Sequence, residues 1–153
     1  MRLSDILDED SIIPELRATD KKQVLEELAE AIVRHEPSLD KDSLVKVLLE
    51  RERLGSTGIG DGVAIPHGKF PGVSSPRLAF GRCLKGLDFD CMDGQPAYLF
   101  FLLVAPENSA SVHLKALAKI AKILKNSSFR KLLLEANDKR EIYQTIIKND
   151  EDF

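Results

Sequence analysis

The sequence predicts a layered α/β domain, and three observations carry that expectation. Helix-period apolar patterns occupy both ends of the chain, short and strongly apolar segments fill its middle, and no Pro- or Ser-rich linker divides them. With 153 residues the chain has room for one substantial core and not for two, so 1–153 reads as a single domain.

The first helix is expected to begin at Thr19 or Asp20, with Asp20 and Gln23 at capping-box spacing. Its apolar positions Val24, Leu28, Ala31 and Ile32 share one face, and Glu36-Pro37 ends it. A second helix runs from Asp40 to Gly55, with Leu44, Val47, Leu48 and Arg51 on neighbouring turns. Six of the nine glycines then crowd between positions 55 and 72, which reads as a loop. Val63 to Ile65 and Leu78 to Leu84 look like short strands, and 97–104 like a strand buried on both faces. A third helix begins at Ser109 or Ser111, with Leu114, Leu117, Ala121 and Leu124 as its inner stripe. Ser127 or Ser128 caps a fourth, and Lys139 to Lys148 makes a fifth. The acidic clusters 8–10 and 150–152 read as solvated ends, and the tail 149–153 as frayed.

Composition excludes several classes of function. The longest apolar run, Ala97 to Ala105, is about half the length of a membrane-spanning helix. The N-terminus reaches acidic residues before a signal-peptide core can form. A net charge of −3 lacks the positive field that nucleic-acid binding needs. Cys83 and Cys91 form neither a disulfide framework nor a metal motif, and read as buried, inert thiols. A cytoplasmic protein is therefore expected, without membrane insertion and without a nucleic-acid partner.

The stretch Arg51 to Gly68 carries the chemistry. It is no Walker A loop, because Gly68-Lys69 has Val63 where the first glycine belongs and Phe70 where Ser or Thr belongs. The dinucleotide fingerprint fails too, since Gly58-x-Gly60 is followed three residues on by Val63. What remains is His67, placed between Pro66 and Gly68 at the end of a short apolar strand. Upstream glycines with Ser56 and Thr57 suit a tetrahedral anion. Taken alone, such a histidine reads first as a satisfied structural residue in a turn, because pocket context is what marks a histidine as functional.

The surrounding residues form a longer pattern. An acidic residue, six free positions, an aliphatic, a Gly, two free positions and then aliphatic-Ala-aliphatic-Pro-His-Gly are met by Glu52, Ile59, Gly60, Val63, Ala64, Ile65, Pro66, His67 and Gly68. This resembles the phosphohistidine site of IIA domains of the phosphoenolpyruvate-dependent phosphotransferase system, of the fructose/mannitol type. The wording Gly-Ser-Thr-Gly-Ile-Gly and Ile-Pro-His-Gly-Lys looks most like the nitrogen-regulatory subgroup, and the likeness spans nearly the whole chain.

The resemblance implies a mixed β-sheet flanked by helices on both faces. It implies a phosphotransferase component that carries a phosphoryl group transiently on Nε2 of His67, received from an HPr- or NPr-like phosphocarrier and read by a regulatory target. A sugar-transport IIA component passing phosphate to a IIB domain is the alternative within the family. A non-phosphorylated interaction module is the alternative outside it, and the intact His67 and His113 argue against that. Arg51 resembles the family's active-site arginine, and His113, in His-Leu-x-x-Leu, resembles its second histidine. Without the resemblance, Arg51 reads as a helix-end cation and His113 as a polar first-turn residue. Ser56, Thr57 and Gly68 are candidate phosphate contacts, the two hydroxyls equally readable as loop caps. No cofactor and no metal are expected, so the donors should be protein groups. Phe70 and Ile59 are expected to give a docking partner its apolar contact.

Overall fold

The computed structural model describes residues 2–150. Helix starts follow from local chemistry: a carboxylate or amide accepts from the first free amides of four helices. Asp20 accepts from Gln23 N at 2.8 Å to open α1 (Lys21–Val33), and Asp40 from Ser43 N at 3.2 Å to open α2 (Lys41–Arg53). The return half of the α1 box lands one residue early, because Gln23 Oε1 accepts from Thr19 N and not from Asp20 N. After α3 (Ala110–Leu124), α4 (Ser127–Glu135) is capped by Asn126, one residue before the expected serines. Asp138 caps α5 (Lys139–Lys148).

The strands are β1 (Leu7–Ile13), β2 (Gly58–Gly60), β3 (Val63–Ala64), β4 (His67–Lys69), β5 (Arg77–Leu87) and β6 (Ala97–Ala105). They form one mixed sheet in the order β1-β5-β6-β3-β2, with β4 also pairing β6. β1 runs parallel to β5, β5 antiparallel to β6, and β3 and β4 both parallel to β6. The expectation of helices on both faces is met. Phe100, Leu102 and Val104 of β6 pack toward α1 and α2, while Leu99, Phe101 and Leu103 pack toward α3, α4 and α5. β6 is central, which explains its unbroken apolar sequence.

Three expectations need correction. The acidic cluster 8–10 belongs to edge strand β1, where the register slips between Leu7 and Ile12 and the carboxylates reach cations. Asp8 lies 3.6 Å from Arg77 and Glu9 lies 3.6 Å from Arg140. At the other end, Asp150 is not frayed: its buried carboxylate lies 2.7 Å from Lys119 and accepts from Leu3 N. Positions 151–153 lie outside the described residues. The inner face of α3 is His113, Ala116, Ile120, Ile123 and Leu124, with Leu117 and Ala121 packed partly buried beside it; of the expected stripe, Leu114 alone turns outward, at 64% exposure. His113, a polar residue, takes the place at the start of the stripe that Leu114 is expected to hold.

Candidate functional site

β4 exists because its backbone is pinned to the central strand at both ends. Leu103 N donates to Pro66 O at 3.0 Å, and Phe70 N donates to Ala105 O at 2.9 Å. The glycine-rich stretch is therefore short strands with tight turns, not a free loop. β4 lies against α2, where Leu48 and Val47 face Gly68 at ordinary contact distance. That approach brings His67 beside the last turn of α2. Across β6, the start of α3 supplies His113, whose ring centroid lies 5.5 Å from that of His67.

The result is a cleft of about 460 Å³ lined by Val47, Glu50, Arg51, Leu54, His67, Gly68, Lys69 and His113. Two imidazoles, a guanidinium and an ammonium suit an anion and not a metal cation. A larger concavity of about 680 Å³ beside α1 is lined by Glu15, Glu26, Glu27 and Glu30 against Arg17 and Arg34, a net negative surface less suited to phosphate.

The tautomer of His67 follows from one hydrogen bond. Nδ1 lies 2.8 Å from Ile65 O, and a carbonyl oxygen only accepts, so Nδ1 carries the proton and Nε2 keeps its lone pair. His67 is half-buried. Arg51 stands at the mouth, its Nη1 donating to Gly55 O at 2.9 Å, which ties the guanidinium to the end of α2. His113 is buried, and its Nδ1 has no hydrogen-bond partner. It sits one turn into α3, where its own N–H already donates to Ser109 O at 2.9 Å. The N–H of His113 is therefore not one of the free first-turn amides of α3.

The structure brings together Arg51, His67, Gly68 and His113, and it directs Ser56 and Thr57 elsewhere. Ser56 Oγ donates to Phe89 O at 2.7 Å and accepts from Gly58 N. Thr57 is buried, with its hydroxyl and its N–H both on Glu52. Neither hydroxyl lines the cleft. Phe70 is buried in the core beneath α1 and α2, whereas Leu54, at the cleft rim, is 85% exposed. Lys69 is a cleft residue that sequence reasoning passed over. Residues i and i+2 of a strand share a face, so its place two residues after His67 was the available signal.

Both cleft histidines are held below the ordinary value. For His67 burial acts most strongly, and the Arg51 charge adds to it against the Ile65 hydrogen bond and Glu52. For His113 burial again leads, followed by His67 and Lys69. A depressed folded pKa means the unfolded chain takes up the protons first as the solution is acidified. The stability contribution is therefore full above about pH 6.5 and is lost as pH falls through the folded values. Denaturation midpoints should drop between pH 7 and pH 5, and less so in a His67→Ala/His113→Ala double variant. Equal slopes in the two proteins would assign the acid sensitivity to other groups.

Comparison with known proteins gives a consistent answer. Residues 5–149 match the family described as phosphoenolpyruvate-dependent sugar phosphotransferase system, EIIA 2. The chain is 42% identical over 146 residues to a nitrogen regulatory protein of Bradyrhizobium diazoefficiens, covering 95% of each. It is 35% identical over 150 residues to the fructose-specific EIIABC component of Bacillus subtilis, 98% of this chain but 24% of that one. Among solved structures, nitrogen regulatory protein IIA-Ntr of Neisseria meningitidis superposes with a TM-score of 0.88 at 36% identity, covering 94% of this chain and 98% of that one.

Proposed function

Because the chain belongs to the phosphoenolpyruvate-dependent sugar phosphotransferase system EIIA 2 family, we propose that it accepts a phosphoryl group on Nε2 of His67 from an HPr- or NPr-like carrier and acts as a nitrogen-type regulatory protein. The observation that carries this reading is the Nδ1–Ile65 hydrogen bond within a cation-rimmed cleft, which presents an unprotonated Nε2 to an arriving phosphoryl group.

In the transfer, the bond from phosphorus to the donor's histidine nitrogen breaks as the bond to Nε2 forms. The donor nitrogen keeps the electron pair and leaves as a neutral imidazole when its other nitrogen bears a proton. His67 releases no proton, and its ring gains positive charge that the Ile65 carbonyl stabilises through Nδ1–H. Three equatorial oxygens carry the moving negative charge, and catalysis of such a step is chiefly positioning and electrostatics. Arg51 and Lys69 supply cations at those oxygens. An unpaired buried N–H is the costlier orphan, so the proton of His113 sits on Nε2 and can be donated to a phosphoryl oxygen.

The nitrogen-regulatory reading rests on identity running along nearly the full length of both chains. Transfer to a IIB domain is the second reading, favoured by the fructose-specific relative. Incubation with radiolabelled phosphoenolpyruvate, Enzyme I and the carrier should place one acid-labile phosphoryl group on the protein, and no uptake would overturn the proposal. Arg51→Ala and His113→Ala should each slow uptake by about 10²–10³, the usual loss for one positioned donor. Unchanged rates in both would leave them as a helix-end cation and a core histidine.

A further inference from the structure

Glu52 is an acidic residue with its side chain only 4% exposed, at the end of α2 and behind the cleft. Such a group is retained only when it is well partnered. Its partners lead toward the site. Oε1 accepts from Thr57 N at 3.2 Å, and Oε2 accepts from Thr57 Oγ1, so Glu52 grips Thr57 by both of its donors. Thr57 O in turn accepts from Ile65 N at 3.0 Å. Ile65 O accepts from Nδ1 of His67 at 2.8 Å. One continuous series of hydrogen bonds thus runs from a buried carboxylate, through two peptide carbonyls, to the ring that faces the cleft.

The far side of Glu52 is equally fixed. Lys21, the first residue of α1, places Nζ 3.1 Å from Glu52 Oε1 and 3.1 Å from Asp90 Oδ2, and lies over the Phe89 ring at 4.8 Å. Burial pulls the Lys21 ammonium down, but the hydrogen bonds it donates to Asp90 and Glu52, together with their charges, outweigh it and hold the group charged. Ser56 joins the same clamp through Phe89 O. None of these residues lines the cleft.

We propose that Glu52 and Thr57 are positioning residues for phosphoryl transfer, holding the Thr57 and Ile65 carbonyls so that His67 keeps its proton on Nδ1 and aims Nε2 into the cleft. This rests on His67 being the acceptor. The logic is that of a carboxylate orienting a catalytic imidazole, with two residues, Thr57 and Ile65, fixed in position between them. The negative charge of Glu52 also acts on His67 through space, favouring the positive charge the ring gains when phosphorus bonds to Nε2. Thr57 therefore contributes through its buried side and not as a phosphate contact.

The test compares wild type, Thr57→Val, Thr57→Ser and Glu52→Gln by two independent readouts. Nitrogen-15 spectra of the unphosphorylated protein report the His67 tautomer without any transfer reaction. Wild type should show well-separated ring nitrogens with Nε2 unprotonated. Thr57→Val and Glu52→Gln should bring the two shifts together as tautomers mix. Uptake of phosphate from the phosphorylated carrier should fall about 10–100-fold in the same two variants, the usual range for losing a group that orients a functional histidine. Thr57→Ser, which keeps both donors, should restore the tautomer and the rate. Spectra are read on folded protein, and if Thr57→Val does not fold, Glu52→Gln decides alone. An unchanged tautomer overturns the proposal whatever the rate does, as does a mixed tautomer with an unchanged rate. Failure of wild type to take up phosphate would instead overturn the acceptor role of His67 while leaving the spectra to report on the relay.

Discussion

His67→Ala is expected to take up no phosphoryl group under conditions where the unaltered protein is labelled stoichiometrically. The loss should be complete and not merely a slowing, because the substitution removes the only nitrogen in the cleft that combines a free lone pair with access from outside. The fold should persist. β4 is tied to β6 through the backbone of Pro66 and Phe70, and His67 contributes a single side-chain hydrogen bond, to the carbonyl of Ile65 just ahead of the strand. Circular dichroism and the denaturation midpoint at pH 7 should therefore stay close to those of wild type.

His113 is the residue that could confound this result, being a second imidazole 5.5 Å away. It should not substitute. At 6% exposure His113 is less accessible than the half-buried His67, and a carrier's phosphohistidine must come within bonding distance of the accepting nitrogen. His113→Ala should accordingly remain labelled, only more slowly. Label persisting in His67→Ala and vanishing in His113→Ala would reverse the assignment.

How much of this was legible in the sequence differs from residue to residue. The helices of the first half were readable because Asp20 and Asp40 each stand one residue ahead of an apolar-periodic run and accept where a cap should. β6 was readable because a strand covered on both faces is apolar throughout. β1 was not, because its acidic residues sit in a bulged edge where charge is tolerated and even useful against edge pairing. The short strands β2 and β4 were hidden among glycines, whose register with other strands is a tertiary property. In the site, His67 lay in a fixed pattern, and Arg51 and His113 came with the family resemblance. Ser56 and Thr57 show the opposite limit. A hydroxyl in a glycine-rich stretch looks the same in sequence whether it points at a phosphate or at a buried carboxylate, and only the position of Glu52 on α2 decides it.

Arg82 is a residue that local sequence gives no reason to single out, and its replacement is expected to have the largest effect on stability. It lies on β5 with 5% exposure, and its partners among the described residues are main-chain carbonyls. Nε donates to Pro14 O at 2.9 Å, and Nη1 donates to Leu133 O and Ala136 O, each at 2.8 Å. One guanidinium thereby closes the end of α4, whose last carbonyls have no partners within the helix, and fastens the segment after β1 to the same point. Arg82→Met would fill similar space while leaving these three acceptors, and Leu134 O at 3.4 Å, without their donor. At about 1–3 kcal/mol for each buried orphan, partly offset by no longer burying a charge, a net loss of about 3 kcal/mol is expected. Arg82→Lys should recover only part of it, since an ammonium is a point charge and does not reproduce the planar fork. Denaturant titration reads the effect directly, with the slope unchanged and the midpoint lowered. At low temperature, where the variant stays folded, labelling of His67 should proceed as in wild type, because Arg82 touches no cleft residue. A shift below about 1 kcal/mol, or a Lys variant as stable as wild type, would mean that water satisfies those carbonyls and that the arginine is not what fastens α4 to the sheet.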